Sequence, residues 1–271
     1  MLCIMNALYM MYCIWLTYFT SFSLIAFEAS AEVYFRLPQD VIYGSHPTPI
    51  AQLRPTDKYD VIIFPGAGGP DQYTSALQES ILRSDKKKGV VRQVVVYDWQ
   101  QWRGNFLRAA FDSQLVGAAV GGQLAQNAGL KNVHAIGISV GAFAADSCLK
   151  TYKSLAQQPS ASTHLTLLDP FTSKGPFGYG WGLKNFGLGA DVVEDYLNSD
   201  DPVPTTNDPV SNAFTLDVTS SQAKRSFVGD SYHSWPVAYL ASHWTTEVDE
   251  KGDILEPASE KVPKGTVVVV P

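Results

Sequence analysis

Asn132-Val133-His134-Ala135-Ile136-Gly137-Ile138-Ser139-Val140-Gly141-Ala142 sets the architecture of the chain around it. Its first seven residues are largely apolar, the pattern of a strand buried on both faces. From Val140 to Leu155 the apolar residues recur at helical spacing. Gly137, Ser139 and Gly141 therefore form a G-x-S-x-G sequence at a strand-to-helix junction. A turn there strains the serine backbone and lifts its hydroxyl above the sheet edge, while the glycines let strand and helix approach closely. The helix N-terminus adds N–H groups and positive potential where an oxyanion would develop. A glycine-rich structural turn can share this spelling; the strand before it and the helix after it make Ser139 the candidate nucleophile.

Outward from this junction, strands and helices alternate. Tyr59 to Phe64 is a short apolar run that ends at Pro65-Gly66-Ala67-Gly68-Gly69-Pro70, a strand feeding a tight loop. Val90 to Tyr97 is a second strand, and Asn105 to Gln126 has helical spacing, interrupted by Gly121-Gly122. Such glycines weaken a helix by about 1 kcal/mol each unless close packing requires them. His164 to Leu168, Val192 to Leu197 and Ala213 to Val218 read as further strands. The expected fold is α/β, with a mainly parallel central sheet and helices on both faces. Lys174 to Ala190, rich in glycine and aromatics, reads as a surface loop with exposed rings. Residues 247–271 read as an extended tail following a catalytic domain over 32–246.

A serine hydroxyl needs a base to take its proton and an acid to orient that base. On this kind of sheet the order is serine, acid, histidine. Asp169 follows Ser139 by 30 residues, at the end of the His164–Leu168 strand and before Pro170. An Asp that merely turns the chain would look the same. Asp201, at the end of the next strand, is the rival acid. Of the five His, His46, His134 and His164 precede both acids. His233, in a polar loop before a final helix, is the expected base, and His243 on that helix is the competitor. The oxyanion would be held by the backbone N–H of Val140 and by one from the Pro65–Gly69 loop, with Ala67 as the expected donor. That loop lacks the G-x-G-x-x-G spacing and the Walker Lys of phosphate-binding loops. No cofactor or metal is expected; Asp191, Glu194 and Asp195 read as a solvated acidic edge.

Composition narrows the rest. Hydrophobic residues are 45% of the 271 and charged residues 17%, enough for a large core and unlike a disordered chain. A net charge of −6 argues against a nucleic-acid partner held on a basic surface. Met1 to Phe27 holds no charged side chain, and Ala29-Ser30-Ala31 follows Glu28 as a signal-peptidase pattern. Residues 1–31 thus form either a cleaved signal peptide or an N-terminal membrane anchor. Both place the rest of the chain outside the cytoplasm, secreted or held at a membrane surface. Cys3 and Cys13 lie in that segment, which leaves Cys148 as a single, buried thiol.

Several blocks together resemble the pancreatic lipase-like family of α/β hydrolases. They are Val94-Val95-Val96-Tyr97-Asp98-Trp99, Leu115-Val116-Gly117, Asn132 to Ala142, and Leu168-Asp169-Pro170, with His233 followed by Tyr239. The resemblance covers residues 60–240. It implies an α/β-hydrolase fold, a serine nucleophile at Ser139, the catalytic acid at Asp169 rather than Asp201, and the base at His233. Pro65-Gly66-Ala67 is similar to the family's His-Gly-Phe, whose third residue donates to the oxyanion. The implied activity is hydrolysis of carboxylic esters, lipid-like acyl esters foremost, by a lipase or esterase of lipid metabolism. A thioesterase, peptidase or acyltransferase would use the same triad, and a non-catalytic binding protein would use the same fold. The chain departs from the family at Ile138, where the family has His. No Cys follows Cys148 to close a disulfide-bounded lid, and nothing resembles the family's C-terminal β-sandwich. The Lys174–Ala190 loop is the expected cover of the site.

Overall fold

A computed structural model of the chain describes residues 59–271 apart from 100–107, 128, 158–160, 176–177, 230, 252 and 256–257. The export segment expected at 1–31 lies outside them. The strands are β1 (Tyr59–Phe64), β2 (Gln93–Val96), β3 (Asn132–Ile138), β4 (Ser162–Leu168), β5 (Val192–Leu197), β6 (Phe214–Asp217) and β7 (Val267–Val269). The helices are α1 (Gln72–Lys88), α2 (Ala109–Leu124), α3 (Ala142–Leu155), α4 (Trp181–Asn185) and α5 (Trp235–His243). The seven strands form one sheet in the order β2-β1-β3-β4-β5-β6-β7, every neighbouring pair parallel. The expected α/β class is therefore correct, and the sheet is wholly parallel.

Covered on both faces, the central strands have no solvent side: Val61, Ile62, Ile63 and Phe64 of β1 are fully buried. One face carries Val61, Ile63, Ile136, Ile138 and Leu168 against Leu77 and Ile81 of α1 and Trp235, Val237 and Leu240 of α5. Each such side chain withdrawn from water contributes about 1.5–3 kcal/mol. The opposite face is packed by α3, with α2 laid across it. Gly121 is required there, because a methyl group on it would come within 2.1 Å of the Cys148 carbonyl oxygen. Its close packing is on the neighbouring helix, not on the sheet. Cys148 is buried, and that burial pushes its thiol pKa up.

Helix α1 is absent from the expected pattern, since two of its four buried residues, Thr74 and Asp85, are polar. Its ends are nonetheless marked in the sequence. Asp71 accepts a hydrogen bond from the Thr74 N–H at 2.8 Å, and Gly89 closes the helix at φ 71°. Two further expectations need correction. The 247–271 segment is not simply an appendage, because Val267–Val269 supplies the edge strand beside β6. Glu194 and Asp195 are not a solvated edge either. Glu194 pairs with His164 at 3.0 Å and accepts from Ser259, and Asp195 is fully buried, accepting from the Val210 N–H and the Thr215 hydroxyl. Among the described residues no helix is long and apolar enough to cross a membrane.

Candidate active site

The strand order reverses at β1, which has β2 on one side and β3 on the other. At such a switch point the loops leaving the carboxyl ends of two neighbouring strands diverge and leave a crevice. The Pro65–Gly69 loop leaves β1 there, and Ser139 leaves β3. A methyl group at Gly66 would stand 3.1 Å from the Ser139 Cβ and 3.7 Å from its Oγ, so the glycine loop lies directly against the hydroxyl. The loop is held by a Gly69 N–H bond to the Gly66 carbonyl at 3.0 Å and by the Trp99 indole N–H on the Pro65 carbonyl at 2.9 Å. Ala67 sits in this turn, and Val140 directly follows the serine.

The turn at Ser139 has the strain that the motif predicts. Ser139 has φ 53°, a left-handed conformation unusual for a residue with a side chain. A methyl at Gly141 would come within 2.2 Å of the Phe64 carbonyl oxygen, so the helix start can approach β1 only because that position is bare. One strand further on the same device recurs. Ile138 pairs with Leu168 in register, and the next residue on each strand, Ser139 and Asp169, is left-handed, with φ 48° at Asp169. Neighbouring strands lie about 4.8 Å apart. The two polar residues therefore emerge side by side from the same end of the sheet.

Asp169 is fully buried and receives His233. The His233 Nδ1 lies 2.8 Å from Asp169 Oδ2 and 2.6 Å from Asp201 Oδ2. Rivals in the sequence, the two acids are joint partners here, brought to one ring nitrogen from the ends of β4 and β5. The Ser231 hydroxyl accepts from the His233 N–H and starts the short turn that presents the ring. The other ring nitrogen, Nε2, is buried without a hydrogen-bond partner. His243 is elsewhere, exposed on α5 and stacked on Tyr239. His134 and His164 stack on each other within the sheet at 3.9 Å, bonded to Thr166 and Glu194.

The cluster shares its protons unevenly. Burial raises Asp169 to about 8, helped by its hydrogen bond with Asp201 and opposed by His233 and the Asn198 N–H. Burial would raise Asp201 too, but bonds with His233, Asp169 and the Val203 N–H outweigh it and hold its carboxyl below the usual range. For His233, burial favours the neutral ring, yet the hydrogen bonds and charges of the two acids prevail and raise it to about 9. Asp169, Asp201 and His233 could also ligate a metal, their donor atoms lying within 4.8 Å of one another. Ligands around a zinc ion stand about 3.3 Å apart. Separations of 2.8 and 2.6 Å instead suit hydrogen bonds, and a metal would require the cluster to spread.

The Lys174–Ala190 segment differs from its expected form. Its rings turn inward: Phe186 is fully buried, edge-on to Phe143 at 4.8 Å, and Trp181 stacks on Phe143 at 5.7 Å. Only Tyr179, of its described rings, is largely exposed. Aromatic area anchors this segment to α3, four residues beyond Ser139. Asn198, which sequence reasoning passed over, is wholly buried and donates its backbone N–H to Asp169 Oδ1 at 3.0 Å. No protein-family model matches the chain, and no curated protein matches its sequence.

Proposed function

We propose that this chain is a serine hydrolase of the α/β-hydrolase fold that cleaves carboxylic esters, in keeping with its resemblance to pancreatic lipase-like enzymes. The observation that carries the proposal is the left-handed Ser139 beside the left-handed Asp169 at one sheet end, with His233 on the acid. Ser139 Oγ attacks the ester carbonyl carbon as its proton passes to His233 Nε2, and the N–H groups of Val140 and Ala67 receive the oxyanion. The carbonyl re-forms and the C–O bond breaks; the alcohol leaves with the proton from Nε2. Water, deprotonated by the same nitrogen, then attacks the acyl-serine; the C–Oγ bond breaks, Nε2 returns its proton to Ser139 Oγ, and the acid is released. Ser139 Oγ and His233 Nε2 are not hydrogen-bonded to each other in the structure; bonds between nucleophile and base are often long in a free enzyme and form when substrate binds. Lipid-like acyl esters are the proposed substrates, and export through residues 1–31 belongs to the same proposal.

The test is a fluorophosphonate probe on the full chain, with the adduct located by peptide mass spectrometry. A single adduct at Ser139, with turnover of p-nitrophenyl esters, is expected. Labelling elsewhere gives the reaction another nucleophile, and no labelling leaves a binding protein on a hydrolase-like scaffold; either outcome overturns the assignment. The base must be neutral to act, and the two acids hold His233 protonated to about 9. Activity is therefore low at neutral pH and kcat/KM rises close to tenfold per pH unit toward a plateau above about 9. The limb belongs to the coupled cluster rather than to one residue. Asp201→Asn removes one of the charges that raise His233 and moves the limb to lower pH. A wild-type profile flat between pH 6 and 9 contradicts this.

A further inference from the structure

Lys224 belongs to none of the roles above, yet it is buried, only 8% exposed, on the short turn Gln222–Ser226 that follows β6. Its ammonium donates to Asn198 Oδ1 at 2.5 Å and to Asp200 Oδ1 at 2.5 Å, and stands 4.9 Å over the Tyr232 ring. An ammonium can only donate, so the amide oxygen of Asn198 must face it and the amide NH2 must point away. That NH2 reaches the carbonyl of Tyr232, the residue just before His233, at 3.2 Å. The backbone N–H of the same Asn198 holds Asp169 Oδ1 at 3.0 Å. One residue thus grips both partners of the His233–Asp169 bond, the acid through its backbone and the histidine turn through its side chain. Lys224 decides which way that side chain points.

We infer that Lys224, acting through Asn198, is a positioning residue that fixes His233 against its acids. The inference rests on the proposed hydrolase reading, but its geometric part concerns the imidazole alone. An ammonium is costly to bury, and a structural plug for this turn could be apolar. What the cation adds is direction: without it the Asn198 amide can flip and present its oxygen to the Tyr232 carbonyl, repelling the turn that carries His233. A displacement of about 1 Å at a catalytic group can cost about 100-fold in rate.

The experiment uses the full chain with Lys224→Met, Asn198→Ala and the double variant, with Lys224→Gln in reserve should Lys224→Met not fold. Two quantities are read: kcat and KM on a p-nitrophenyl ester, and the downfield proton resonance of His233 Nδ1–H. Lys224→Met is expected to lower kcat by about 10- to 100-fold, with KM little changed and the resonance lost or broadened. The double variant is expected to be no slower than Asn198→Ala, because the two act in series. Additive losses, or a resonance and kcat untouched in Lys224→Met, overturn the inference. Absence of ester hydrolysis by the wild type removes the hydrolase reading instead, and loss of the His233 resonance in Lys224→Met would still support the positioning role.

Discussion

If the chain is the proposed hydrolase, Ser139→Ala is expected to reduce kcat on esters by about 10⁶-fold, to the residual rate that binding and oxyanion donors alone sustain. The substitution is unusually clean here. Alanine keeps the Cβ that already occupies the φ 53° turn and the 3.1 Å approach to Gly66, so backbone strain and packing are unchanged. Only Oγ is removed, the atom proposed to form the acyl bond. The variant should therefore unfold at the wild-type denaturant concentration while losing both turnover and fluorophosphonate labelling. A loss of only about tenfold would mean that the hydroxyl assists binding and that the reaction, if any, has another nucleophile.

On the same proposal, replacing Asp169 and Asp201 together by Asn is expected to cost about 10⁴-fold in kcat, the scale of losing the group that holds an imidazole in its working tautomer. Either single replacement costs far less, on the order of 10- to 100-fold, because the remaining carboxylate still accepts from Nδ1, at 2.6 Å from Asp201 or 2.8 Å from Asp169. The energetics are those of groups that act as a unit, for which single losses do not sum. If Asp169→Asn alone produces the full loss, Asp201 is a bystander and the shared geometry has no catalytic meaning; the converse outcome transfers the role to Asp201. Steady-state kinetics of the three variants on the high-pH plateau, well above the value of about 9 to which His233 is raised, decide between these cases.

Much of the sheet was legible because parallel strands buried on both faces appear as apolar runs. The expected Asn132–Ile138 and Val192–Leu197 strands have those bounds in the structure, and the α3 helix ends at Leu155 as its spacing implies. Helix α1 escaped the pattern because its inner face mixes Leu77 and Ile81 with Thr74 and Asp85. Asp85 is acceptable inside only because Arg92 pairs with it through two hydrogen bonds and Thr246 through a third. Arg92 lies 7 residues away, beyond the helix end, and Thr246 lies 161 away, so a local window holds only part of the reason. Val267–Val269 was obscure for a similar cause: three valines are a strand only when an edge is free to receive them, and β6 offers that edge.

At the site the same division holds. Local chemistry determined the serine turn, since glycines at 137 and 141 around a serine between strand and helix leave few other conformations. It also narrowed the acid to Asp169 and Asp201 and the base to His233 or His243. Only the tertiary structure decided that both acids meet one imidazole nitrogen, and that Asn198 and Lys224 brace the meeting point. Those contacts join the ends of β4 and β5 to the turn after β6 and the loop before α5. Their distances depend on how the strands stack across the sheet, a property of the assembled core that no single stretch of sequence encodes.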